Sequence, residues 1–135
     1  MTLTHTQNTK AVKSGMTLIE LTVVILVLLS LISILFVGAR AWKKGSDRAG
    51  CIMNIRNVQQ AVRSYQNMYN HDVGDLVAAG DLFGADKFLE VTPDCPDPAG
   101  GYTLSAAITP VGALFMTCDL AAAPDNHAPA SFGDW

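Results

Sequence analysis

The residues best suited to metal or redox chemistry in this chain are three cysteines and one histidine. The cysteines are Cys51, Cys95 and Cys118, and the histidine is His127. No two cysteines have the Cys-x-x-Cys spacing from which zinc sites are commonly built, so the pattern does not favour zinc. A metal site that combines His127 with cysteines is less favoured than the absence of a metal site. We therefore predict no bound metal and no cofactor.

Aspartates are frequent in the same part of the chain, but they do not follow an ion-binding pattern. Asp94, Asp97, Asp119 and Asp125 lack the spacing of an EF-hand loop and are typical of turns. The chain also shows no Ser-His-Asp order, no P-loop and no pair of catalytic carboxylates. These observations predict neither a calcium site nor catalytic residues, and they favour a structural role over an enzymatic one.

Glu20 is an acid placed inside a long apolar segment. Residues 16–39 are MTLIELTVVILVLLSLISILFVGA, and the stretch 21–39 carries no charge. As an α-helix this uncharged stretch spans about 28 Å, enough to cross the hydrocarbon core of a bilayer. A carboxylate in such a segment is costly unless it has a partner or lies at the interface. Glu20 is therefore either the polar edge of the span or a functional acid.

An amphipathic pattern follows the apolar segment. Apolar side chains recur there every three or four residues, which is typical of one face of a helix: Ile52, Ile55, Val58, Val62, Tyr65 and Tyr69. We predict one long helix from near Thr17 to near Asn70, with its amphipathic part over residues 40–71. Cys51 lies close to this face and is predicted to be a buried small residue.

The last 64 residues predict a small head with little regular structure. Residues 75–83 are expected to form a short helix capped by Asp75. A turn-rich stretch, TPDCPDPAGG, follows at 92–101. Because a chain of this size buries only a small core, the head needs a helix to pack on, a disulfide or neighbouring subunits.

A β-hairpin is predicted near the end of the chain, from residues 101–108 and 112–118. The final residues, 119–135, are predicted to be loop with a short third strand. Cys95 and Cys118 flank the hairpin, so in an exported protein they are expected to form a disulfide that contributes roughly 3 kcal/mol. The alternative is two reduced, buried thiols.

Charge is strongly segregated along the chain. Residues 40–70 carry six basic side chains and one acid, and six minus one gives +5. Residues 72–135 carry ten acids and one lysine, and one minus ten gives −9. Either both surfaces are simply solvated, or the basic segment of one subunit meets the acidic head of another. The head has too few basic residues to neutralise phosphates, so nucleic acid is not an expected partner.

Residues 1–15 are polar and contain Lys10 and Lys13 but no acid. A cleaved secretory signal would have a shorter apolar core than this segment. Counting flanking positive charges places more of them after the apolar segment than before it, on Arg40, Lys43, Lys44 and Arg48. By the positive-inside rule alone the head would lie in the cytoplasm.

The sequence KSG|MTLIELTVVILVLLS resembles the prepilin signature of type IV pilins and type II secretion pseudopilins. The resemblance implies cleavage between Gly15 and Met16 by a prepilin peptidase, and N-methylation of Met16. It also implies that the head faces the periplasm or the exterior, against the charge count. Most relatives have Phe where this chain has Met16. Methionine is also apolar and unbranched at Cβ, so it should fit a similar slot.

The same resemblance gives Thr17 and Glu20 a role in assembly. It implies that apolar helices bundle in a filament, where the Glu20 carboxylate pairs with the Met16 amine of a neighbouring subunit and sets the register. The implied partners are other copies of the chain, an assembly ATPase, a platform protein and the inner membrane. The segments CIMNIRNVQQAVRSYQNMY and PDCPDPAGGYTLS, with a later Cys118, are similar to a pseudopilin-like subfamily, although two extra residues precede the glycines.

The sequence therefore predicts an α+β, pilin-like fold. A leader (1–15) precedes a transmembrane and assembly helix (16–39), its amphipathic continuation (40–71) and a small antiparallel head (72–135). The expected function is that of a pseudopilus subunit, anchored by a single pass in the inner membrane before assembly. The alternatives are a major or minor subunit of a type IV pilus used for adhesion, motility or DNA uptake, a ligand-binding tip protein, and a membrane-anchored domain that does not polymerise.

Overall fold

A computed structural model describes residues 15–135, so all of the predicted leader except Gly15 lies outside the described residues. Helix α1, Leu18–Tyr69, is 52 residues long. The chain divides into two compact units, Met1–Gly38 and Ala39–Trp135, which are described separately. One long apolar helix followed by a small antiparallel sheet confirms the α+β layout.

The described part of the first unit is the apolar segment of α1. All of its side chains are exposed, including those of Leu18, Ile25 and Val37. Its hydroxyl groups donate to carbonyls three or four residues back, as Ser30 does to Val27 at 2.8 Å, so they need no outside partner. By length and composition this helix can cross a membrane, which is compatible with single-pass anchoring.

The amphipathic part of α1 forms one wall of the second unit. The predicted face is confirmed at its centre, where Ile55, Val58 and Val62 are buried, but Tyr69 is exposed. The buried face also includes Cys51, Gln59 and Ala61, so Cys51 is a buried small residue as expected. The core is completed by side chains from the head: Val77, Leu82, Phe83, Ile108, Phe115, Met116 and Cys118.

The predicted helix over 75–83 is wrong in length and in its cap. Helix α2 is a single turn, Ala79–Leu82. The Asp75 carboxylate instead accepts a bond from the Asp72 N–H (2.8 Å) and lies 3.1 Å from His71 Nδ1. These contacts hold a turn directly after α1, and hydrogen bonding to Asp72 and His71 lowers the pKa of Asp75.

The hairpin is present but shorter than predicted. Strands β1, Tyr102–Leu104, and β2, Met116–Cys118, pair antiparallel with Thr103 opposite Thr117. Ser105 still donates to the Phe115 carbonyl at 2.8 Å, but beyond it the chain turns to a different neighbour: the Gly74 N–H donates to the Ile108 carbonyl at 2.9 Å, and Leu76 bridges Ala107. This competing pairing takes residues 106–108 away from the hairpin. No strand occurs over 119–135, so the predicted third strand is wrong.

Candidate functional site

The predicted cleavage residues lie immediately before α1. Gly15, Met16 and Thr17 are outside the helix, and the Met16 side chain is 67% exposed. A bond in a non-helical, exposed segment offers its backbone to a peptidase without prior unwinding. The structure therefore places the Gly15–Met16 bond where cleavage is sterically simple, and cleavage itself stays a prediction.

Thr17 and Glu20 form a reciprocal cap at the start of α1. The Thr17 backbone N–H and hydroxyl both donate to Glu20 Oε2, at 2.9 and 3.0 Å, and the Glu20 N–H faces Thr17 Oγ1 at 3.3 Å. This is the capping-box arrangement of a threonine and a glutamate three residues later. Sequence reasoning missed it, although the Thr-x-x-Glu spacing was the available signal.

The cap gives Glu20 a partner within its own chain. A helix N-terminus favours negative charge, and the capping bonds satisfy backbone donors that have no carbonyl within the helix. Both bonds from Thr17 go to Oε2, and within residues 15–135 no hydrogen bond reaches Oε1. The carboxylate can therefore keep the cap and still accept one further donor.

Cys51, Cys95, Cys118 and His127, which the sequence did not predict to form one site, converge inside the second unit. One Sγ each from Cys51, Cys95 and Cys118 and a ring nitrogen of His127 all lie within 4.8 Å of one another. Cys95 Sγ is 3.9 Å from Cys118 Sγ and 3.7 Å from His127 Nδ1, and the Cys118 Sγ to His127 Nδ1 distance is 4.0 Å. Cys51, Cys118 and His127 are buried, and Cys95 is partly buried.

Four separate segments supply these side chains. Cys51 lies on α1, Cys95 in the turn before β1, Cys118 at the end of β2, and His127 in the C-terminal segment. The C-terminal segment is fixed by the His127 N–H, which donates to the Leu120 carbonyl at 2.9 Å. The Cys51 thiol faces the His127 carbonyl oxygen at 3.7 Å, which links helix and C-terminal segment directly.

Two glycines allow the turn that carries Cys95 to pack closely. A Cβ added to Gly50 would lie 3.0 Å from the Pro96 ring, so glycine lets this turn approach α1. A Cβ added to Gly100 would lie only 2.6 Å from Cys95 Sγ. These close approaches explain why glycine is needed both on α1, at Gly50, and after the Cys95–Pro96 turn, at Gly100.

Burial disfavours the thiolate form of at least two of these cysteines. Burial raises the pKa of the Cys51 thiol to about 12, and the Tyr102 hydroxyl opposes the shift by hydrogen bonding to the sulfur. Burial also raises the pKa of Cys95, against a bond from the Asp97 backbone N–H. Tyr102 is itself held by Asn54, whose side-chain amide donates to its hydroxyl at 3.2 Å.

The predicted disulfide is not formed in this structure, in which all three cysteines are free. The 3.9 Å between Cys95 Sγ and Cys118 Sγ compares with about 2 Å in a disulfide. The bond stays a prediction. Sequence reasoning placed these two cysteines near the same hairpin but missed that Cys51 and His127 join them, because residues so far apart in sequence carry no local spacing signal.

Several basic side chains of α1 contact the head of the same chain. Arg63 donates to the carbonyl oxygens of Thr109 (2.7 Å) and Trp135 (3.1 Å). The Arg56 guanidinium lies 5.4 Å from the centre of the Trp135 ring, and Lys44 Nζ is 3.8 Å from Asp125. Part of the segregated positive charge is therefore used within one subunit.

Comparisons with protein-family models, curated proteins and solved structures found no match to this chain.

Proposed function

We propose that this chain is a structural subunit of a type II secretion pseudopilus, made as a precursor, cut after Gly15 and assembled through its apolar helix into a filament. The observation that carries the proposal is the apolar segment of α1, in which every residue is exposed. This segment starts three residues after the proposed cut and carries a single acid, Glu20. The signature around Gly15 supports the same conclusion.

An exposed apolar surface of this extent needs a cover. Large side chains around the whole circumference of the segment are about half exposed or more, as Val24 (47%), Leu28 (53%) and Leu35 (70%) show. Soluble monomers rarely leave a contiguous apolar surface of this size in water. Lipid covers it before assembly, and the equivalent segments of other subunits cover it in the filament.

The residues that follow the apolar segment are typical of a membrane interface. Trp42 is 80% exposed, and Arg40, Lys43 and Lys44 lie beside it in sequence. Tryptophan is enriched at the headgroup level, and basic side chains reach the same level with their long stems. The segment therefore has an interfacial anchor at its C-terminal end, as a subunit stored in a bilayer requires.

Glu20 supports assembly because one of its oxygens is open. Cleavage after Gly15 creates an amine at Met16, and in a bundle of apolar helices that amine needs an acceptor. Glu20 Oε1 on a neighbouring subunit supplies one, while Oε2 keeps the cap with Thr17. A single charged pair in an apolar bundle fixes one axial register, which apolar contacts alone define poorly.

Processing is the first test of this proposal. The full chain is expressed with an active prepilin peptidase, or with a catalytically dead one as the control, and extracted from membranes for intact-mass measurement. We expect loss of residues 1–15 and methylation of the new Met16 amine only with the active peptidase. A chain that keeps residues 1–15 with the active enzyme would refute the proposal. Electron microscopy of filaments sheared from cells expressing the complete assembly system then tests polymerisation.

A further inference from the structure

We propose that Cys51, Cys95, Cys118 and His127 form a closed, structural binding site for one zinc ion. The inference is independent of the proposed filament function, because all four residues belong to the unit Ala39–Trp135 and none takes part in cleavage or in the apolar segment. It rests on the convergence of these four side chains and on the chemistry of their donor atoms.

The distances fit a metal site of ordinary size. Zinc bonds of about 2.3 Å to sulfur and about 2.0 Å to nitrogen give tetrahedral edges of about 3.8 Å between sulfurs and about 3.5 Å between sulfur and nitrogen. The three distances among Cys95 Sγ, Cys118 Sγ and His127 Nδ1, 3.9, 3.7 and 4.0 Å, lie close to these values. Since no pair exceeds 4.8 Å, a shift of at most about 0.6 Å for each sulfur and about 0.9 Å for the nitrogen brings the donors to bonding distance.

The donor set favours zinc. Three thiolates and one imidazole are soft and intermediate ligands, which suit zinc and exclude the oxygen-seeking calcium and magnesium ions. Cys₃His is one of the standard tetrahedral sets of structural zinc. Four protein ligands fill the coordination sphere, so no position remains for water or substrate. The site therefore stabilises the fold and does not catalyse a reaction.

Hydrogen bonds around the cluster hold two of its segments in place. Asn54 on α1 donates to the Asp94 carbonyl beside Cys95 at 3.1 Å and to the Tyr102 hydroxyl at 3.2 Å. The Cys51 thiol faces the His127 carbonyl oxygen at 3.7 Å. Contacts that fix the positions of the ligand residues are typical of the surroundings of a metal site.

A metal at this position would join every part of the second unit. Each ligand comes from a different segment: the amphipathic half of α1, the turn before β1, the end of β2 and the C-terminal segment. Regular structure in the head is limited to one helical turn and two strands of three residues. Small domains of this kind commonly depend on a structural metal for their stability.

Zinc binding and the Cys95–Cys118 disulfide exclude each other. A sulfur that has lost its proton and electron to form a disulfide is no longer available as a thiolate ligand. The disulfide would use two of the four converging side chains and leave Cys51 and His127 buried beside it without a role. The fourfold cluster is therefore better explained by a metal than by the bond predicted from the hairpin.

The test measures the metal content of the full chain. The protein is purified from membranes in detergent, under anaerobic conditions and with a non-thiol reductant. Its zinc content is measured by inductively coupled plasma mass spectrometry. We expect one zinc per wild-type chain and a fall to background in Cys51→Ser and in His127→Gln. His71→Gln is the matched control, because His71 lies on the surface near Asp75 and should keep full zinc content.

A second measurement on the wild-type chain does not depend on the folding of any variant. Cobalt exchanged for zinc should give the absorption of a tetrahedral, thiolate-bound ion, and a chelator should lower the melting temperature of the zinc form. The proposal is overturned if the wild-type chain carries no zinc, whether Cys95 and Cys118 are then linked or free. Equal zinc in the wild type and in both ligand variants would overturn it as well, since the metal would be adventitious.

Discussion

Substitution of Glu20 can separate its two proposed roles, as a cap of α1 and as the ion-pair partner of a Met16 amine in a filament. In the structure Glu20 caps α1 through Thr17, with bonds of 2.9 and 3.0 Å to one carboxylate oxygen. In a filament it would also pair with the Met16 amine of another subunit through the other oxygen. The two roles differ in what they require, because a cap needs an acceptor at this position whereas the ion pair needs a negative charge.

The two roles also differ in the free energy that their loss should cost. Loss of a helix cap typically costs about 1 kcal/mol, and this cost falls on the isolated subunit. Removal of one partner from a buried ion pair costs about 3 to 5 kcal/mol, and this cost falls on each contact of the assembled filament. The larger value corresponds to more than a hundredfold loss in the equilibrium constant of a single contact. Assembly should therefore respond far more to charge than to capping.

Two substitutions separate these effects. Glu20→Gln keeps an acceptor of the same size, which a capping box tolerates, but removes the charge. Thr17→Ala removes the side-chain half of the cap but leaves the carboxylate in place. We expect processing after Gly15 in both variants, a severe loss of filaments in Glu20→Gln and a mild loss in Thr17→Ala. Glu20→Ala, which loses both, should be at least as defective as Glu20→Gln.

The assay scores processing and assembly separately. Intact mass of membrane-extracted protein reports cleavage, and the amount of subunit in sheared filaments, normalised to the processed pool, reports assembly. If Glu20→Gln assembles like the wild type while Thr17→Ala does not, Glu20 acts only as a cap and the register hypothesis is wrong. If all three variants are processed and assemble normally, Glu20 is only the polar edge of the span.

Two further predictions concern the head, both measured as unfolding of the full chain in detergent. Gln59→Ala should destabilise it by about 1 to 3 kcal/mol, because the buried amide accepts from the Phe115 N–H at 2.9 Å and donates to the Ala113 carbonyl at 3.2 Å. Gln60 is the exposed neighbour of Gln59, and Gln60→Ala should cost no more than about 0.5 kcal/mol. If both substitutions lowered the free energy of unfolding equally, this explanation would be wrong. Gly100→Ala should lower both stability and zinc content, because its Cβ would lie 2.6 Å from Cys95 Sγ, whereas Gly80→Ala meets no atom within 4 Å and should be tolerated.

The long helix could be predicted because its signals are local and repeated. An uninterrupted apolar segment and then side chains at spacings of three and four residues locate the helix and its buried face, and the observed bounds, Leu18–Tyr69, differ by one residue from those expected. The head has weaker signals. Asp75 matches a helix cap as well as a turn, and only the contacts with His71 and Asp72 decide between them.

The Cys-His cluster could not be predicted because its signal is tertiary. The ligands lie 44, 23 and 9 residues apart in sequence, so no short motif contains two of them. Their convergence depends on how the Cys95 turn docks on α1 at Gly50 and on how the C-terminal segment folds back at Leu120. What the sequence did contain was a set of three cysteines and a histidine, the ligands of one closed zinc site.

The contacts of the basic residues narrow the hypothesis that one subunit's stem meets another's acidic head. Arg63 donates to the Thr109 and Trp135 carbonyl oxygens, so part of its hydrogen-bonding capacity is used within its own chain, whereas Arg56 is exposed and lies 5.4 Å from the centre of the Trp135 ring. Lys44 pairs with Asp125 only at 3.8 Å and remains 75% exposed, which makes this contact weak and easily exchanged. Arg40, Lys43 and Arg48 form no ion pair within residues 15–135. These cations directly follow the apolar segment, and in the proposed pseudopilus they would meet lipid headgroups before assembly and acidic heads after it.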